Sequence, residues 1–399
     1  MPGDWPESPL TDLADLSGGF AFKSGDYAPA GRFVLRTLNI RDDGSISREG
    51  AVYLPEELCP QYSRFELQPH DTLFVMVGAT LGKVGFVRKS DLPALLNQNM
   101  WLIRAKPGVG DARYMQYAFR HVVKASLGWA SGSARDFVRR EDYRNLLIPS
   151  PSLPEQRTIA AVLGSLDDKI ELNRRMNETL EALAQTLFKS WFVDATQSAL
   201  PKGWFETVLS ECCENIFSGG TPSTQAADYW GGDIPWLSSG ETRSRFIIDT
   251  EKTITPRGVE NSSTRPARAG STVIASAGQG HTRGQTSLLT FDCYINQSVV
   301  VLVADKSISS DLFLFFDLAR RYEQFRQMSD SQSSRGSLTT KLLAEMKVVV
   351  PPRGLISKFD EAVAPMVKRI IANLHESRTL AALRDALLPK LLSGELRVP

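Results

Sequence analysis

The sequence predicts an α+β chain: two pseudo-twofold-related lobes separated by a long antiparallel two-helix coiled coil. Three observations predict it. The chain repeats itself at an offset of about 200 residues. Each repeat closes with a long segment whose apolar residues recur at alternating steps of four and three. Each repeat opens with short β-rich runs separated by Gly-rich turns.

The repeat is carried by six blocks in one order. Trp5 and Leu10 match Trp204 and Leu209, and Leu16-Ser17-Gly18-Gly19 matches Phe217-Ser218-Gly219-Gly220. Phe33-Val34-Leu35-Arg36-Thr37 matches Pro235-Trp236-Leu237-Ser238-Ser239, and the turn beginning at Gly78 matches that at Gly278. Asn97-Gln98-Asn99 matches Asn296-Gln297-Ser298, and Ser131-Gly132-Ser133-Ala134-Arg135 matches Ser331-Gln332-Ser333-Ser334-Arg335. The organisation that follows is a first lobe over 1–150, a helical spacer over 151–199, a second lobe over 200–352 and a second helical spacer over 353–399. Within the lobes, Thr72 to Val77 and Ser298 to Val303 read as strands. Ala112 to Leu127 and Ser310 to Gln327 read as helices.

The first spacer carries Ile159, Leu163, Leu166, Ile170, Asn173, Asn177, Leu180, Ala184, Leu187 and Trp191 on one seam. A helix of this length spans roughly 50 Å and cannot bury its stripe alone. The second spacer places Phe359, Val363, Met366, Ile370, Asn373, Ser377, Leu380 and Leu387 on the same seam. Connectivity makes the pair antiparallel, with a lobe at each end and the chain termini near each other. Asn173 and Asn373 occupy one repeat position and are candidates for fixing helix register. Pro365 is expected to kink the second helix or delay its start, and Pro389 to bend or end it.

Composition bounds the function. The 399 residues, 42% hydrophobic and 23% charged, exceed what one core usually holds. No stretch matches a membrane span or a secretory leader, which gives a cytoplasmic reading. The four cysteines, Cys59, Cys212, Cys213 and Cys293, form no metal-binding or disulfide pattern. The net charge of +1 is low for a protein that grips DNA unaided and fits one whose partners supply phosphate contacts.

Catalytic motifs fail on spacing. The segment from Gly78 to Val84 is one residue short between its glycines for a phosphate loop and ends in valine where a magnesium-binding hydroxyl belongs. The run from Gly278 to Gly284 places its last glycine one position late for a dinucleotide fingerprint. No Asn-Pro-Pro-Tyr or Asp-Pro-Pro-Tyr run is present, and four scattered histidines make no cluster. The chain reads as a non-catalytic subunit, with no metal site.

One resemblance now stands out. Ser218-Gly219-Gly220-Thr221-Pro222-Ser223, followed by Tyr229-Trp230-Gly231-Gly232-Asp233-Ile234-Pro235-Trp236-Leu237, resembles the opening of a target-recognition domain in the specificity subunits of type I restriction–modification enzymes. Leu153-Pro154-Glu155-Gln156-Arg157-Thr158-Ile159-Ala160, Leu166-Asp167-Asp168-Lys169-Ile170, Leu187-Phe188-Lys189-Ser190-Trp191-Phe192 and Leu391-Leu392-Ser393-Gly394-Glu395-Leu396 are similar to that family's helical region and chain end. The second helical entry departs from it, with Gly354-Leu355-Ile356-Ser357 in place of Pro-Glu-Gln-Arg. The resemblance implies that the lobes each read one half of a bipartite target in double-stranded DNA. The helices set the spacer and dock two DNA adenine methyltransferase subunits, and an ATP-dependent restriction or translocase subunit can join. S-adenosylmethionine, ATP and magnesium then belong to the partners, and none to this chain. The alternative reading is a non-catalytic scaffold whose lobes bind protein.

Base reading needs donors and acceptors at groove edges, with cations on phosphates. Equivalent loops of the two repeats offer Arg36, Thr37 and Asn39 against Ser238, Ser239 and Glu241. They offer Lys83 and Arg88 against Gln279, His281 and Arg283, and Gln98 and Asn99 against Gln297. The late loops offer Ser131, Ser133, Arg135 and Arg139 against Ser333, Ser334 and Arg335. The basic run from Arg113 to Arg144, with Arg120, Lys124 and Arg140, is a candidate phosphate surface.

Overall fold

A computed structural model describes residues 5–78, 80–130, 143–278, 282–330 and 337–398, with 125–130 in backbone only. Its contacts divide the chain into two units. The first comprises Met1–Lys169 with Thr379–Pro399, and the second Ile170–Arg378. Both mix helix and sheet, in keeping with the α+β expectation.

In the first unit, a four-stranded sheet runs in the order Ala14–Gly18, Met100–Ala105, Thr72–Val75, Val84–Phe86. A three-stranded sheet runs Val52–Leu54, Arg32–Leu35, Ala94–Leu96, and Glu7–Pro9 pairs with Leu147–Pro149. The four-stranded sheet is covered on both faces, so its inner strands, Thr72 and Arg104 apart, are apolar rather than alternating. Leu73, Val75 and Leu102 pack with the three-stranded sheet. Phe74, Trp101 and Ile103 point the other way, toward the helix Ala112–Ala130 and the long helices.

The second unit repeats this plan. Cys213–Ser218, Val299–Ala304, Thr272–Ala275 and Thr286–Leu289 follow the same order, extended by Phe246–Ile247. Lys252–Ile254, Trp230–Leu237, Cys293–Ile295 and Arg265–Ala267 form the second sheet, and Phe205–Val208 pairs with Lys347–Val350. Val273, Val301 and Val303 lie on one face of the main sheet; Ile274, Val300 and Leu302 lie on the other.

Register corrects one block of the repeat. Ser17 pairs with Leu102 and Phe217 with Val301, so Ser17 is equivalent to Phe217. Gly19 is therefore the counterpart of Gly219, not of Gly220 as the residue match suggested. Both glycines are held by close backbone approach. A Cβ on Gly19 would lie 1.9 Å from Asn97 O, and one on Gly219 would lie 2.1 Å from Ile295 O.

The first long helix runs Leu153–Phe188 and continues through a wide turn, Lys189–Val193. Ser152 caps it, with Ser152 N and Oγ both donating to Glu155 Oε2 at 3.0 and 2.8 Å. The next residue, Gln156, is buried and accepts from Asp111 N at 2.9 Å while donating to Pro151 O at 3.0 Å. Asp111 in turn caps the Ala112–Ala130 helix through Tyr114 N at 2.9 Å. The Pro-Glu-Gln entry thus joins lobe to helix. At the second helical entry, where that run is replaced, Ile356 is fully buried in the cluster that holds Phe359 and Phe313 and makes the junction with apolar packing.

The second long helix runs Arg353–Ser393 without interruption. This overturns a delayed start at Pro365 and an end at Pro389. Both prolines are exposed, so the carbonyls they deprive of partners face water, while Phe359, Val363, Val367 and Ile370 hold the opposite face in the core. In the second unit the helices are antiparallel: Phe188 packs against Phe359 with ring centroids 5.5 Å apart, and Asn173 reaches Asn373 and Ser377. The segment expected as one helix from Ser310 to Gln327 is two, Asp311–Ala319 and Tyr322–Asp330. Buried Asp317 draws Arg320 and Arg321 onto itself at 2.7 Å each across that break. The first and last segments of the chain meet, with Trp5 Nε1 donating to Leu391 O at 2.9 Å.

Candidate nucleic-acid interface

The loops matched between repeats fall at matched places. Asn97 N donates to Leu35 O and Asn296 N to Leu237 O, each at 3.0 Å, so the amide turns sit beside the same strand end. Gln98, Asn99 and Gln297 are exposed there. Asn99 holds a left-handed φ of 71°, which asparagine tolerates better than most residues. Thr221 Oγ1 donates to Gln297 Oε1 at 2.5 Å, tying the Gly-Gly-Thr loop to this turn. Sequence spacing carried no sign of that contact.

Beside these turns stand Thr37–Asn39 and Ser239–Arg243, both tight 3₁₀ turns. Their capping explains three residues. Asn39 is fully buried; its Oδ1 accepts from Arg36 N at 3.0 Å and its Nδ2 donates to Glu49 O at 3.1 Å. Glu241 Oε1 accepts from Ser238 N and Oγ at 2.9 and 3.0 Å, and Oε2 accepts from Glu251 N at 2.8 Å. Asn39 and Glu241 therefore shape their turns, and Asn39 has no surface to offer a base edge. Arg36, Thr37 and Ser239 are half-exposed on the same turns.

The Gly-rich runs are β-hairpin loops, not phosphate loops. One joins Thr72–Val75 to Val84–Phe86 and the other joins Thr272–Ala275 to Thr286–Leu289. Val75 N bonds Lys83 O, whereas Ala275 N bonds Gln285 O, so the second hairpin is the longer. Lys83 pairs with Asp42 at 2.6 Å, and Arg283 pairs with Asp330. Arg88 is half-exposed, with its backbone N–H donating to Asp91 Oδ2 at 2.8 Å. Gln279, His281, Ser131, Ser133, Arg135, Arg139, Arg140, Ser333, Ser334 and Arg335 lie outside the described residues.

Of the basic run, Arg113, Arg120, Lys124 and Arg144 lie among the described residues, and the first two are engaged within the protein. Arg113 turns inward, bonding Asp168 through both Nη atoms at 3.0 and 2.6 Å and Gly164 O at 2.8 Å. Arg120 is also drawn in. Burial and the neighbouring Arg384 lower its pKa, its Nη1 donates to Asp43 O at 3.3 Å, and it lies over the Phe86 ring. Lys124 and Arg144 remain exposed.

Asn173 and Asn373 are both buried and bonded between the helices. Asn173 Nδ2 donates to Glu376 Oε2 at 2.8 Å and Asn373 O at 3.4 Å, and Asn373 Nδ2 donates to Asn177 Oδ1 at 2.8 Å. All four cysteines are free, and burial pushes the Cys213 and Cys293 thiols up to about 12, away from nucleophilic use. Among the described residues, no group of three or more His, Cys, Asp or Glu is placed to hold a metal ion. No described helix is long and apolar enough to cross a membrane.

Comparison with known proteins places this geometry. The sequence model of the type I restriction modification DNA specificity domain matches residues 2–182 and, again, 201–372. The specificity subunit of the type I restriction enzyme MjaIX from Methanocaldococcus jannaschii is 24% identical over 420 residues, covering 100% of this chain and 95% of its own. That of HindI from Haemophilus influenzae is 24% identical over 323 residues, covering 63% and 69%. The crystal structure of a type I restriction–modification S subunit from M. genitalium shares the fold, with a TM-score of 0.59, 19% identity and coverage of 98% and 96%. Two copies of the domain in tandem, each followed by a long helix, make this chain a member of the type I restriction–modification DNA specificity family.

Proposed function

We propose that each lobe reads one half of a bipartite DNA target and that the chain itself performs no chemistry. The observation that carries this reading is the pairing of loops between repeats. The amide turn, the 3₁₀ turn and the hairpin occupy the same places on one strand plan, but carry different side chains: Arg36 against Ser238, Asn99 against Ser298, Lys83 against Gln285. A scaffold that keeps its loops while changing their donors and acceptors suits two different half-sites.

The paired helices set the unread spacer and dock two adenine methyltransferase subunits. Docking is supported by Leu183 and Leu383, at one repeat position, which are 45% and 47% exposed on the long helices. Single exposed leucines are common, but repetition at the same position is what two copies of one partner require. S-adenosylmethionine, ATP and magnesium would sit on the partner subunits, and the complex would act in the cytoplasm.

The test is selection from randomised duplexes by this chain in complex with an adenine methyltransferase encoded beside it. A split motif with a fixed spacer supports the reading. A single uninterrupted motif, or no enrichment from a complex that forms, contradicts it and favours a protein-binding scaffold.

A further inference from the structure

The internal repeat lets each lobe serve as a template for the other, and one place filled in the first lobe is open in the second. In the first lobe Arg104 bonds Asp71 through Nε and Nη2, at 2.8 and 2.7 Å, and donates to Glu66 O at 3.1 Å. The carboxylate it meets is nearly inaccessible, at 2% side-chain exposure. Strand register identifies the counterparts. Asp15 pairs with Arg104 as Asn215 pairs with Val303, and Glu66 pairs with Leu95 as Pro266 pairs with Tyr294. Asp71 N donates to Gln68 O as Ser271 N donates to Arg268 O, each at 3.2 Å. The second lobe therefore has valine where the first has arginine, and serine where it has aspartate.

Val303 lines a cleft of about 430 Å³ together with Asn215 and Pro266, the counterparts of Asp15 and Glu66; Ser271 is fully buried and does not line it. Its lining includes the half-buried Tyr294 ring, and two exposed carboxylates, Glu214 and Asp292, stand at it. The one cation in its wall, Arg268, is 3.9 Å from Asp311.

We propose that this cleft receives an arginine side chain from a docked protein, in the place that Arg104 occupies in the first lobe. The inference rests on the reading of this chain as a platform for partner subunits, and names a contact on the second lobe. A planar guanidinium suits an aromatic wall with carboxylates at its edge. Glu214 and Asp292 favour a cation over a phosphate at this cleft, so the occupant proposed is a protein side chain and not DNA. Phe217, which also lines the cleft, already carries a guanidinium of this chain: Arg265 lies 4.2 Å from its ring centroid.

The probe is N-acetyl-argininamide, with its neutral citrulline analogue, in saturation-transfer NMR on the full chain. Transfer to the arginine compound exceeding that to citrulline, and lost in a folded Val303→Arg variant, supports the cleft. No transfer, or equal transfer in Val303→Arg, overturns it. A second arm measures affinity for the methyltransferase subunit. The pair Glu214→Gln and Asp292→Asn should weaken the complex at least about tenfold and leave DNA affinity unchanged; unchanged partner affinity overturns the proposal. If the wild-type chain fails to bind the methyltransferase, the platform reading falls, and the argininamide result alone then decides the cleft.

Discussion

The side-chain amide of Asn373 donates to Asn177 Oδ1 at 2.8 Å, from one long helix to the other. Asn173, buried a turn away, donates to Asn373 O and Glu376 Oε2. These bonds form in one register only, whereas the apolar positions around them would pack in several. Replacing both with leucine (Asn173→Leu with Asn373→Leu) should leave the melting temperature unchanged or higher. The spacer in the methylated target should then spread over more than one length. A single unchanged spacer would remove these residues from register control.

Asp167 accepts from Tyr117 Oη at 2.6 Å and from Arg384 Nη1 at 2.7 Å. Both members of the ion pair are largely withdrawn from water, with 15% and 22% side-chain exposure. Asp167→Ala leaves the Arg384 guanidinium, beside Arg120, with Asp385 as its remaining carboxylate and should cost about 2 kcal/mol in urea denaturation. Tyr117→Phe removes only one hydrogen bond and should cost about 1 kcal/mol.

The two glycines of the first Gly-Gly pair are not equivalent. A Cβ at Gly18 meets nothing within 4 Å, whereas one at Gly19 or Gly219 collides with a backbone carbonyl. Gly19→Ala and Gly219→Ala should each lower stability by about 2–3 kcal/mol, and Gly18→Ala should stay within about 0.5 kcal/mol. Thermal melts of the three variants check the close approach directly.

Asp360 accepts from Ser310 Oγ at 2.8 Å, at the start of the second lobe's helix. Burial raises its pKa, outweighing the Ser310 bond and the charges of Arg353 and Lys306; the nearby Asp311 adds to the rise. A folded-state pKa above the unfolded value gives stability that is present in acid and lost as pH rises through the folded value. Asp360→Asn keeps an acceptor and removes that loss. Denaturation should find the variant more stable than wild type at pH 7, with the gain shrinking as pH falls toward the ordinary aspartate range near 4.

What the sequence made legible follows from periodicity. The repeat, the helical seams and the apolar runs of the sheets reflect burial, and burial leaves a mark in residue order. Asn173 and Asn373 were visible because they interrupt an otherwise apolar seam. Direction was less legible. Nothing in the spacing of Arg113 or Arg120 tells that their guanidinium groups turn onto Asp168 and Asp43 instead of solvent. The same holds for Asn39, whose amide closes its own turn. Pro365 and Pro389 misled because their cost depends on which side of the helix they face, and both face water. The vacated Arg104 slot emerged only when strand register aligned the two lobes.

The most direct measurement of the central claim is a map of methylated adenines in cells with and without this gene, with the neighbouring methyltransferase retained. A bipartite methylated motif, two short half-sites at fixed spacing, that vanishes with the gene is the predicted result. Methylation that persists unchanged, or that shows one uninterrupted motif, would contradict the assignment of target reading to these two lobes.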